Sequence, residues 1–208
     1  MPWQFDRSAG RYRDGGSGRF MAHERVRDLV RQGLGASKAA SDELAGLVAG
    51  QRLTPGDWRA LMREELKGEY IRQYLLGRGG LPQMRPSDWG RVGGMLAEQY
   101  KYLEGFAAQV GGLTEGQIKT RLARERSAMY FNSAREAFER AQAVAMKAAG
   151  HEEERWRRNP TAESCEDCTE YESQGWQPAG HFPFPGDGKT ACLTGCQCHK
   201  EYRRRTDG

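Results

Sequence analysis

All five cysteines of the chain lie between Cys165 and Cys198. They fall in two groups, Cys165-Glu166-Asp167-Cys168 and Cys192-Leu193-Thr194-Gly195-Cys196-Gln197-Cys198, joined by a loop rich in proline and glycine. Two thiolates separated by two residues can close on one tetrahedral zinc ion, with the turn between them. The second group supplies the other half: Cys196 and Cys198 share one side of an extended strand, and Cys192 approaches across the turn at Thr194-Gly195. Five thiols compete for four places, with His181 and His199 as substitutes. The expectation is a structural zinc site drawn from Cys165, Cys168, Cys192, Cys196 and Cys198. Its rival is a pair of disulfides with one thiol left over, which demands an oxidising compartment. The opening Met1-Pro2-Trp3-Gln4 runs into charge and glycine with no apolar core, so no secretory leader is expected.

Other chemistry finds little support. A hydrolytic zinc needs an open position and a carboxylate base, as in the deaminase pattern of His-x-Glu with Pro-Cys-x-x-Cys. Here Ser164 precedes Cys165, and no His-x-Glu stands at a useful distance. Gly186-Asp187-Gly188-Lys189 is a turn, not a phosphate-cradling loop. No residue is expected to be catalytic, and no enzyme is expected.

Elements that would position the cysteines follow from periodicity. The fold class expected is mainly α: a helical body with long helices and a small zinc-stapled, loop- and β-rich C-terminal module. The divisions are an N-terminal arm or hairpin over 1–21, a helical body over 22–150, the cysteine-rich module over 151–200 and a basic tail over 201–208. The arm reads as a hairpin turning at Asp14-Gly15-Gly16. From Ala22, apolar residues recur at helical spacing around a break at Gly33-Leu34-Gly35, predicting two short helices. Thr54-Pro55 then starts a helix running to about Leu76, whose stripe is Trp58, Met62, Leu66, Tyr70 and Tyr74. Pro86-Ser87-Asp88-Trp89 repeats that opening, placing Trp89 in the core as an equivalent of Trp58. A third and longest helix is expected from Glu115 to about Ala149, with Tyr130, Ala134, Phe138, Ala141, Ala145 and Ala148 as a narrow stripe.

Composition bounds the function. The content of 38% hydrophobic and 29% charged residues suits a folded protein, and no run approaches a membrane span. A net charge of +4 is slight for a dedicated nucleic-acid binder. Bases nevertheless cluster at Arg121, Arg124, Arg135 and Arg140 on the long helix and at Arg203, Arg204 and Arg205 in the tail. These seven are candidates for non-specific contact with DNA phosphates.

The long helix, Asn159-Pro160, Cys165-x-x-Cys168, the Phe182-Pro183-Phe184-Pro185-Gly186 loop and the closing Cys192-x-x-x-Cys196-x-Cys198 together resemble the C-terminal domain of Mu F-like phage head-morphogenesis proteins. Members of that family often close on Asn-Cys-Arg-Cys where this chain has Gly195-Cys196-Gln197-Cys198. The resemblance covers mostly residues 115 to 200. It implies a structural minor head protein of a tailed phage or prophage, working near the portal in capsid assembly and in DNA packaging or ejection. Its partners would be the portal or major capsid protein, in several copies per virion or as a homo-oligomer. It would reside in the capsid interior or at the portal vertex, and in the host cytoplasm during assembly. The alternative is a zinc-stabilised nucleic-acid-binding adaptor.

Overall fold

The computed structural model describes residues 3–110 and 121–205, with the side chains of 110 and 121–127 left aside. The expected helix start at Glu115 lies outside the described residues. The fold is mainly helical, with a small strand-and-loop C-terminal region that carries the cysteines. Strands β1 (Trp3–Asp6) and β2 (Arg11–Asp14) form an antiparallel hairpin pairing Phe5 with Tyr12. Helices α1 (His23–Ala49), α2 (Pro55–Arg78), α3 (Pro86–Val110) and α4 (Arg121–Ala148) make the body. The C-terminal region holds β3 (Glu153–Arg157), α5 (Glu166–Ser173), β4 (Gln177–Pro178) and β5 (His199–Arg203). Its sheet has the order β4-β3-β5, with β3 antiparallel to both neighbours.

Helix α2 is central, packing against α1, α3 and α4. Its expected stripe is its buried face: Trp58, Met62, Leu66, Tyr70 and Tyr74 are all at most 2% exposed. Both ends follow local rules. The Thr54 hydroxyl accepts from the Asp57 N–H at 3.1 Å, and Pro55 takes the first turn, where a missing N–H costs nothing. At the other end Gly79 adopts φ +83°, and the N–H groups of Gly79 and Gly80 return to the carbonyls of Leu76 and Leu75. That pairing is a Schellman stop. Gly77, just before it, has no room for a side chain, since a Cβ there would sit 2.4 Å from the Phe138 carbonyl and 2.7 Å from the Ala141 Cβ. The narrow alanine stripe of α4 thus lets the two helices approach closely.

Three expectations about the body need correction. Helix α1 is continuous through Gly33-Leu34-Gly35. Gly33 serves helix packing, because a Cβ there would lie 3.0 Å from both Gln73 and Glu69. Those two buried side chains, with Ser37, make a polar seam: Ser37 donates to Glu69 at 2.8 Å and Gln73 to the Val30 carbonyl at 3.1 Å. Second, Trp89 is 43% exposed while Trp58 is buried. In α3 it is Asp88 that turns inward, accepting from Tyr74, Arg78, Arg91 and the Arg85 N–H. The repeated Pro-x-Asp-Trp is therefore rotated by one position, about 100° around the axis. Third, Ala148 is exposed and Ala149 is buried in its place.

The first twenty residues are not a free arm. Trp3, Phe5 and Tyr12 belong to the main core, and the Tyr12 hydroxyl donates to the Gly77 carbonyl at 2.7 Å. The expected turn at Asp14 exists as a single bridge between Arg13 and Phe20, but the full ladder joins β2 to β1 on its other side. Nor is 201–208 a tail as a whole, since β5 continues through Arg203.

Candidate metal centre

Three local structures bring the cysteines together. Cys165 immediately precedes α5 in extended conformation, so that one turn of helix carries Cys168 to the same side. Cys192 opens a short 3-10 turn over Leu193–Gly195, in which Leu193 takes φ +50°. The chain then extends into β5, with Cys196 and Cys198 both buried and Gln197 between them exposed.

The five thiols form two groups of three, Cys165–Cys168–Cys192 and Cys168–Cys196–Cys198, each with all ligand atoms within 4.8 Å of one another. Cys168 belongs to both. Its Sγ lies 3.9 Å from that of Cys192 and 3.7 Å from that of Cys196. A tetrahedron of thiolates at a Zn–S bond of about 2.3 Å has edges of about 3.8 Å. A disulfide bond is only about 2 Å long, and all five cysteines are free thiols. This is metal-ligand spacing.

The electrostatics agree with the geometry. The Cys198 thiol is brought down to about 6, chiefly by the Cys196 thiol, with burial opposing and Cys168 helping. The indole Nε1 of Trp156 meets no oxygen or nitrogen acceptor but lies close enough to Cys198 to favour its thiolate. Burial pushes the Cys168 and Cys192 thiols up, and Cys196 rises through its contact with Cys198 and its own burial. Neighbouring thiols resist sharing several negative charges in a partly buried space, a conflict that a bound cation removes.

Neither histidine joins the cluster among the described residues. His181 is exposed and bonded to Gln174 at 2.9 Å. His199 accepts from Arg27 at 2.8 Å; burial and the Arg27 charge lower it to about 4, so it stays neutral and ties β5 to α1.

Around the thiols sits a second small core of Trp156 and Phe182, with Tyr171 packed edge-on to Trp156 at 5.3 Å. Beside it the buried Lys200 ammonium donates to both Glu154 oxygens, at 3.0 and 2.9 Å, and to the Phe182 carbonyl at 3.1 Å. Trp176 is a surface ring stacked between Arg155 and Arg203, and Phe184 lies between Arg140 and Lys200. The missed signal was alternation along β3, where Glu154 and Trp156 face in while Glu153, Arg155 and Arg157 do not. A buried glutamate disguised that pattern.

Comparison with known protein families, curated proteins and solved structures gives no match.

The candidate phosphate-binding arginines are placed variously. The side chains of Arg121 and Arg124 lie outside the described residues. Arg135 points inward and donates to the Cys196 carbonyl at 2.7 Å and to the Cys198 carbonyl. It is therefore a brace between α4 and the cysteine loop, not a surface cation. Arg140 pairs with Glu136, Arg203 with Glu153 at 2.6 Å, and Arg204 donates to the Ser8 carbonyl at 2.8 Å. Arg205 is exposed. The contacts of Arg135, Phe184 and Gly186 seat the region along the middle of the long helix.

Proposed function

We propose that this chain is a non-enzymatic minor head protein of a tailed phage or prophage. In this reading it is associated with the portal, and its C-terminal region is stapled by one zinc ion held by four of the five cysteines. The observation that supports it most is the cysteine cluster braced against a long helix by Arg135, in the motif order that resembles the Mu F-like C-terminal domain. Zinc suits a compact all-thiolate set that sits in a shell of aromatic rings. Structural zinc contributes on the order of 10–16 kcal/mol in small peptides. That exceeds what Trp156 and Phe182 supply by burial, at roughly 2–3 kcal/mol each.

The nucleic-acid adaptor reading is the weaker one, because Arg135, Arg140, Arg203 and Arg204 already have partners within the protein. The decisive experiment is co-purification with portal and capsid proteins of a tailed phage, with metal content measured by native mass spectrometry. Portal binding with one zinc per chain supports the proposal. Failure to bind either protein, combined with tight and sequence-selective DNA binding, overturns it in favour of the adaptor.

A further inference from the structure

Between α1, α4 and the cysteine loop lies a half-open cavity of about 470 Å³, within the range of small-ligand sites. One wall is apolar, made by Val30, Leu34 and Phe138, each at most 8% exposed. The mouth is basic. Arg31 contributes there beside its own-helix partner Asp28, and half-buried Lys38 has no ion-pair partner among the described residues. Deeper in, Glu139 is 1% exposed and its Oε2 accepts no hydrogen bond, while the buried Arg135 Nε finds no acceptor. These two atoms belong to neighbouring side chains, since Arg135 Nη2 stands 3.5 Å from the other Glu139 oxygen.

Each feature asks for a different part of a ligand. An oxyanion answers Lys38 and Arg31. The acceptor and donor left over on Glu139 and Arg135 ask for a group carrying a donor next to an acceptor, since unsatisfied buried polar atoms are costly. A flat, weakly polar body suits the wall of Val30, Leu34 and Phe138. An isolated carboxylate, such as an acidic side chain of a partner, would leave that wall bare and set a second anion against Glu139. The edge of a nucleobase supplies the neighbouring donor and acceptor, and its face supplies the body.

We propose that this cavity binds a single nucleotide, with its phosphate at Lys38 and Arg31 and its base edge against Glu139 and Arg135. The site is independent of the head-protein reading and holds whichever partner the chain serves. Two sources share this chemistry, a free nucleotide and the end of a nucleic-acid strand.

The test titrates the full chain with adenosine monophosphate, adenosine and inorganic phosphate by calorimetry. The monophosphate should bind saturably, and adenosine roughly tenfold or more weakly, as expected for the loss of a charge-assisted contact. Lys38→Met should weaken the monophosphate by a similar factor. Gly35→Leu is the control for folding. Gly35 lines the cavity, and a Cβ there meets nothing within 4 Å, so leucine fills the space while favouring the helix. It should abolish binding without lowering the melting temperature. A 5′-phosphorylated single-stranded oligonucleotide that displaces the monophosphate would identify the ligand as a strand end. Failure to displace it would identify a free nucleotide, and both results uphold the site. No saturation at millimolar monophosphate would overturn the proposal, as would equal binding by wild type and Gly35→Leu, or preference for an acidic peptide.

Discussion

Because Cys168 belongs to both groups of three thiols, its loss leaves two pairs of cysteines with no shared member. Cys168→Ser should therefore lose the metal and unfold residues 160–200, while Cys165→Ser, which leaves the Cys168–Cys196–Cys198 group intact with Cys192 still beside Cys168, should keep it with lower affinity. Native mass spectrometry and Trp156 fluorescence distinguish these outcomes, and equal metal loss in both variants would contradict the shared role. Glu139 gives a second residue-scale expectation. Burial raises its carboxyl from the ordinary 4.5 to about 7, against the opposing pull of Arg135. The folded state therefore holds the proton more tightly than the unfolded state. The advantage is complete below about pH 4.5 and is lost as pH rises towards 7, by roughly 3 kcal/mol at most. Glu139→Gln should thus match wild type near pH 4.5 and exceed it in stability at pH 8, as read by melting temperature across that range. A stability difference that does not change with pH would refute the assignment.

At the scale of elements, Arg135 braces the joint between α4 and the cysteine loop. Arg135 reaches the backbone carbonyls of two metal-ligand candidates, Cys196 and Cys198, and hydrogen bonds to a charged group are worth about 1.5–3 kcal/mol each. Arg135→Ala should loosen residues 192–198 by roughly 3–5 kcal/mol of local opening free energy, allowing for partial replacement by water. Hydrogen exchange should show faster exchange there with little change in α2. Uniform acceleration through the body would mean instead that the brace supports the whole fold. Between α1 and α2 the same economy holds, for a glycine that reads as a helix break is what admits the Glu69–Gln73 seam.

For the whole molecule, the N-terminal hairpin is part of the core that it seemed to precede. Removing residues 1–20 strips Trp3, Phe5 and Tyr12 from a cluster that includes α1, α2 and α4. At roughly 2–3 kcal/mol for each buried aromatic side chain, the truncation should cost several kcal/mol and lower the melting temperature by many degrees, measured by circular dichroism. An unchanged melting temperature would return the segment to the status of an arm. A partner-binding test on this chain is accordingly better made with exposed-residue variants, such as Trp89→Ala or Tyr102→Ala, which leave the core intact. No helix among the described residues is long and apolar enough to cross a membrane.

What the sequence determined by itself is whatever is decided within a few residues along the chain. The α2 stripe, its Thr54 cap, its glycine stop and the gathering of cysteines by CxxC and CxC spacing all act over one or two turns. The folded chain decided the destinations of ambivalent side chains, because these depend on partners remote in sequence. Trp58 and Trp89 stand at the same step of the same motif, yet Asp88 finds Arg78 and Tyr74 and takes the inward place. Arg135 read as a candidate for DNA phosphates until carbonyls more than sixty positions away came within its reach, at a separation of 61 residues for Cys196. Glu154 takes an interior place only because Lys200, 46 residues on, neutralises it there. A charge is buried only where a distant segment supplies its complement, and local periodicity carries no record of that segment.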